Sequence, residues 1–285
     1  MHLPRYWAKE TRSAVDPGGK AFALAVWGWS DQDTASARQM AIQRLDELAR
    51  KVEQDSGLNH YGYGGPGPGR DGLERPLREP LIQAVPGAEA LISRNTYGAL
   101  VLNTAHVFFA DIDLPEASFG GLLAGLFGKK KTDPAEAAVA RLGEWQRRRP
   151  VWALRIYRTK AGLCVLATQD HFDPASGEAQ QALASLGSDP LYATLCRTQA
   201  SFRARLSPKP WRIGLKAPNV RYPFESPAAE ARFQSWLQRY EAAASRFAVC
   251  RLVAELGPRS QTAEAAAVLA VHDQYACLPG NLPLA

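Results

Sequence analysis

Nowhere in its 285 residues does the chain hold the roughly 18 to 20 consecutive apolar positions that a membrane-spanning helix needs. No membrane partner is therefore expected. Its four cysteines, Cys164, Cys196, Cys250 and Cys277, lie far apart with no CxxC spacing. That argues against a zinc site built from local pairs and against a dense disulfide framework. In a reducing compartment they read as small core residues. The opening segment, Met1-His2-Leu3-Pro4-Arg5-Tyr6-Trp7, has no apolar stretch followed by a small-residue cleavage site. No secretory signal is read there, and a cytoplasmic location is the expectation. GxSxG, Walker-type, HExxH and dinucleotide-binding glycine patterns are missing from any supporting context. Gly64-Gly65-Pro66-Gly67 lacks a following helix and is not read as a phosphate loop.

What is present is an ordinary globular balance, 46% apolar and 22% charged, enough for a substantial core. The net charge of +6 permits anionic partners without requiring them. Its distribution says more. Lys129-Lys130-Lys131 and Arg147-Arg148-Arg149 bracket one predicted helix and read as solvated surface. From Arg197 to Arg221, seven arginines and lysines occur with only neutral residues between them.

The pattern predicts an α+β fold, with an antiparallel or mixed sheet built from hairpins and helices mainly on one face. Residues 1–55 read as a strand–helix unit: Ala21–Trp27 suits a buried strand, and Met40, Leu45, Leu48 and Val52 follow at helical spacing. Ser30 and Asp33 resemble a capping box at the start of that helix. Residues 56–80 are a Gly/Pro-rich loop or linker, and 81–285 form the main domain, expected to share one core with 1–55. Asp133-Pro134, Asp173-Pro174, Asp189-Pro190 and Ser226-Pro227 each place an N-cap residue before a proline at the first helical position. A last helix is predicted over Ala263–Ala276. Three hairpins are predicted: Tyr97–Asn103 with Val107–Leu114, Val151–Arg158 with Leu163–Thr168, and Phe202–Leu206 with Trp211–Leu215. A further strand covers Phe247–Leu256.

Successive strand side chains point to opposite faces. Asp111 and Asp113 therefore project together from the end of an apolar strand, and Arg203 and Arg205 share a face, as do Arg155 and Tyr157. If the strands join one sheet, carboxylates and arginines meet on its polar side. Adjacent carboxylates repel unless a cation compensates. Mg²⁺ or Mn²⁺ takes one or two carboxylates and completes its shell with water and phosphate oxygens. Arg155, Arg158, Lys160, Arg203, Arg205, Lys209 and Arg212 are the candidate phosphate ligands, and arginine suits bidentate phosphate contacts. His171, between the second hairpin and a helix start, is the candidate general base. The same spacing also fits a salt-bridge network without metal, with the turn residues Arg158, Lys160 and Lys209 simply exposed to solvent.

Val107-Phe108-Phe109-Ala110-Asp111-Ile112-Asp113 resembles the first metal-binding motif of the archaeo-eukaryotic primase superfamily, an apolar strand ending in two alternate aspartates. Ile156 to Val165 has the strand–turn–strand form that follows it in that family, and the two elements come in the same order. The resemblance implies a nucleotidyl site with Asp111 and Asp113 as metal ligands. The family's histidine is replaced by Cys164 or a neighbour, with His171 displaced, and Glu255 is the only later acid offered. Three functions follow: a primase-like nucleotidyltransferase; a nucleotide- or nucleic-acid-binding module without catalysis; or a glycosyltransferase, whose strands also end in Asp-x-Asp.

Overall fold

The computed structural model describes residues 1–15, 19, 21–54, 76–115 and 133–285. The Gly/Pro-rich stretch through residue 75 and the Lys129–Lys131 cluster lie outside the described residues. The fold is α+β, with ten strands in three antiparallel sheets among the described residues. Two compact units, His2–Arg78 and Glu79–Ala285, each hold their own cluster of buried apolar side chains.

In the first unit β1 (Tyr6–Val15) and β2 (Ala21–Ser30) form one hairpin, in register from Tyr6 opposite Ser30 to Val15 opposite Ala21. Helix α1 (Thr34–Gln54) lies on it, burying Leu24, Leu45 and Val52 together. A Cβ at Gly28 would fall 2.2 Å from the Ala37 carbonyl oxygen, so glycine is what lets helix and strand approach so closely. Asp33 caps the helix by accepting the Ser36 N–H at 2.7 Å, while Ser30 closes the preceding turn through the Gln32 N–H. Sequence reading found β2 and α1 but not β1, whose alternation is broken by Lys9, Glu10 and Arg12.

The second unit contains two four-stranded sheets. One has the order β3 (Leu81–Ala84), β4 (Ala90–Arg94), β5 (Leu100–Thr104), β9 (Phe202–Arg205). The other runs β10 (Cys250–Leu256), β7 (Leu154–Thr159), β8 (Gly162–Ala167), β6 (Phe109–Asp113). Of the three predicted hairpins only the second forms, with β7 antiparallel to β8. The first does not, because β5 pairs with β4 and β9 while β6 pairs with β8. Nor does the third. Two prolines around Lys209 remove ladder donors, and Pro210–Ile213 becomes a 3₁₀ turn closed by Gly214.

The helices begin as their chemistry dictates. Asp133, Asp189 and Ser226 cap α2 (Pro134–Arg147), α4 (Pro190–Gln199) and α5 (Pro227–Ala244), each with proline first. Asp173 caps only a turn, and α3 (Gly177–Leu186) starts three residues further on from Ser176. Helix α6 (Ala263–Ala276) has the predicted bounds. Ile112 lines one cavity with Ala138, Leu142 and Leu186, so α2 and α3 lie toward the Ala110–Ile112 side of β6. Phe108 anchors this core, its ring between 5.1 and 5.5 Å from those of Trp152, Phe172 and Phe202. Toward the opposite face, the His272 ring of α6 lies tilted against Phe109 at 5.6 Å and edge-on to Tyr157 at 4.7 Å.

Candidate functional site: an acidic strand end facing three cations

On β6, Asp111 pairs with Cys164 and Asp113 with Gly162 of β8. A Cβ at Gly162 would sit 2.0 Å from the Ile112 carbonyl oxygen, so glycine allows β8 to start against the acidic end of β6. The Asp111 carbonyl accepts the Asp189 N–H and the Ser188 hydroxyl, both at 2.9 Å, which ties the start of α4 to β6. One turn into α4, Tyr192 sets its hydroxyl 3.1 Å from the carbonyl oxygens of both Phe109 and Arg203 and accepts the Arg203 N–H at 3.2 Å. The two sheets are thus joined at the β6 and β9 edges through a helical side chain.

Across this junction Arg205 acts electrostatically on Asp111. Asp111 is half-buried, and burial raises its carboxyl above the usual range; Arg205 and Lys209 pull it back while Asp113 and Asp189 push it further. Lys209 is lowered by burial, then by the positive fields of Arg205 and Arg212. Arg212 is lowered by burial and by Arg205, against the pull of Asp111 and Asp113. Carboxylates and cations therefore stand within one another's fields. Yet among the described residues Asp111, Asp113, Arg205, Lys209 and Arg212 form no ion pair, and Nε of Arg205 is buried without a hydrogen-bond partner.

The other candidates go elsewhere. Arg203 is committed to Glu79, at 2.6 and 2.7 Å, and to Gln199 at 2.9 Å. Arg155 pairs with Glu255 and with Asp273, so Glu255 is spent on β7 and β10 rather than near Asp111. Arg158 alternates onto the opposite face of β7, opposite Leu163 and Arg251, and its Nη1 is buried without a partner. Lys160 is exposed in the β7–β8 turn. His171 is exposed and bonded to Glu264 at 3.1 Å, with its ring 5.7 Å from that of His106. It belongs to a separate cluster because the chain leaves β8 at the end remote from Asp113.

Sequence reading missed two neighbours. Asp189 was legible only as a helix cap, yet its charge reaches Asp111. Trp211, 54% exposed, stands in the 3₁₀ turn with the Tyr97 ring edge-on at 5.2 Å and the Lys209 ammonium 5.7 Å from its own ring. The signal for it was Pro208-Lys209-Pro210-Trp211-Arg212, an aromatic between cations at proline-stiffened positions. No family model, no curated protein and no solved structure matches this chain.

Proposed function

We propose that the Asp111–Asp113 strand end and the cations Arg205, Lys209 and Arg212 bind a nucleotide through its phosphates together with a divalent metal ion. The observation that carries this reading is the set of opposite charges left unpaired within one another's electrostatic reach. A purely structural network would collapse into salt bridges, as Arg203 and Glu79 do. A metal–phosphate ligand matches both halves at once. The donor set fits Mg²⁺ or Mn²⁺: Asp111 and Asp113 are hard oxygen ligands on one face, half-buried and exposed respectively. Such an ion would neutralise phosphate charge. Arg205 and Arg212 would grip phosphate oxygens through forked N–H donors and Lys209 as a point charge. Trp211, exposed at the rim, offers its ring to a base.

In its catalytic form this is a primase-like nucleotidyltransferase. The separation of His171 into a cluster with Glu264 favours a second reading, nucleotide binding without polymerisation. The test is calorimetric titration of Mg²⁺ and Mn²⁺, with and without ATP, into wild type and the Asp111→Asn/Asp113→Asn variant. Metal-dependent ATP binding that the folded variant loses supports the site. ATP binding indifferent to chelator and to the variant removes the metal from it, and preference for a nucleotide-sugar over ATP replaces it with the glycosyltransferase reading. A primer-synthesis assay then separates enzyme from binding module.

A further inference from the structure

At the far end of the same sheet, β10 and α6 bring together three soft donors distant in sequence. The Cys250 Sγ lies 3.4 Å from the Cys277 Sγ and 3.9 Å from His272 Nε2, and all three ligand atoms fall within 4.8 Å of one another. Cys250 and His272 are each only 1% exposed, and Cys277 is half-buried at the C-terminal cap of α6. A tetrahedral zinc ion at ordinary bond lengths sets two sulfurs about 3.8 Å apart and a sulfur and a nitrogen about 3.6 Å apart. The observed separations are within a few tenths of an ångström of both.

The surroundings orient the imidazole as a metal ligand requires. Its Nδ1 is 3.0 Å from Asp273 Oδ1, so an N–H there donates to a carboxylate that also lies 3.8 Å from Cys277 Sγ, and the Nε2 lone pair is left free 3.9 Å from Cys250 Sγ. A carboxylate behind a ligating histidine fixes the tautomer and strengthens the donor. Asp273 is itself anchored by Arg155 at 3.3 Å, and the His272 ring packs against Phe109 and Tyr157. Chemistry also favours the ion. Two thiolates with a neutral imidazole cancel the charge of a divalent ion, which suits a buried site. Thiolate with imidazole selects zinc over magnesium or calcium.

We infer that Cys250, His272 and Cys277 form a zinc site that clamps the end of α6 to β10, with Asp273 positioning His272 and the fourth coordination position left to water. This site is independent of the nucleotide reading and uses none of its residues.

The experiment strips the full chain with a chelator and titrates Co²⁺, then Zn²⁺, under reducing conditions. The expected result is a single saturable Co²⁺ site with a thiolate-to-cobalt charge-transfer band and tetrahedral d–d absorption, both displaced by Zn²⁺. Cys277→Ser, at a half-buried cap position, loses the share of the charge-transfer intensity that belongs to one of the two thiolates. Cys196→Ala and Asp111→Asn/Asp113→Asn keep it in full. Because the wild-type spectrum is itself decisive, misfolding of a variant does not rescue the idea. Absence of the band in reduced wild type overturns it. So does isolation of the chain as a Cys250–Cys277 disulfide that takes up no metal after reduction.

Discussion

The Tyr192 hydroxyl and the main chain of Arg203 are hydrogen-bonded in both senses: Arg203 N–H donates to the oxygen at 3.2 Å, and the Arg203 carbonyl lies 3.1 Å from it. With the Phe109 carbonyl at the same distance, one hydroxyl stands where a strand ladder would otherwise join β9 to β6. Tyr192→Phe keeps the ring and leaves these backbone groups without their partner. The expected cost is about 1–3 kcal/mol, the penalty of buried polar groups left unsatisfied. Urea denaturation with an unchanged m-value checks it. A loss below a few tenths of a kcal/mol would show that the edges are held by packing alone.

Asp111 gives a pH signature whose sign follows from its raised carboxyl. Burial favours the protonated form in the fold, so its contribution to stability is present below the ordinary value of 3.8 and lost as pH rises through the folded-state value. Asp111→Asn removes that loss. The variant should therefore melt higher than wild type at neutral pH, and the gap should close as the pH falls toward 4 and below. A stability gain that coincides with loss of Mn²⁺-dependent ATP binding is the trade expected of a strained functional residue. An Asn variant less stable than wild type at pH 7 would mean that the carboxylate is held by favourable contacts after all.

Trp211 separates base from phosphate recognition. More than half of it is solvent-exposed, so Trp211→Ala should leave stability within about 0.5 kcal/mol of wild type. It should weaken ATP by about 1–3 kcal/mol through lost stacking, while inorganic triphosphate binds unchanged. Lys209→Ala should weaken both ligands together, by roughly tenfold for one charged contact. If Trp211→Ala affects triphosphate as much as ATP, the ring shapes the cationic turn instead of meeting a base.

What was legible in the sequence was local. Alternation put Asp111 and Asp113 on one face, and an aspartate or serine before proline marked three helix starts, because caps and pleats depend on neighbours along the chain. Strand partners were not legible. The hairpin assigned to Tyr97–Leu114 fails because β5 and β6 are in different sheets, a choice made by residues distant in sequence on β8 and β9. Arg203 and Arg205, two residues apart, were indistinguishable by pattern. Only the fold gives Arg203 the buried Glu79 and leaves the Nε of Arg205 unmatched. Cys250, His272 and Cys277 escaped for the same reason, since local spacing carries no information about a contact between β10 and α6.

That division of labour between the two arginines yields a last prediction. Glu79 is 8% exposed, bonds both oxygens to Arg203 and accepts the Ser93 hydroxyl. Ser93 in turn accepts from Asn103 at 2.8 Å, so a polar chain crosses β4, β5 and β9. Removing one member of a buried pair leaves the other charge uncompensated, which costs about 3–5 kcal/mol. Glu79→Ala should therefore destabilise the chain by that order, whereas Glu79→Ala/Arg203→Met, which removes both charges, should recover most of it. The double-mutant cycle, measured by chemical denaturation, isolates the coupling. Because the pair is structural, the double variant should still bind ATP with Mn²⁺, and Arg205→Met should show the reverse: small loss of stability and loss of binding. If Glu79→Ala abolishes ATP binding while the fold holds, Arg203 and Glu79 belong to the ligand site, and the boundary between scaffold and site moves one residue pair along β9.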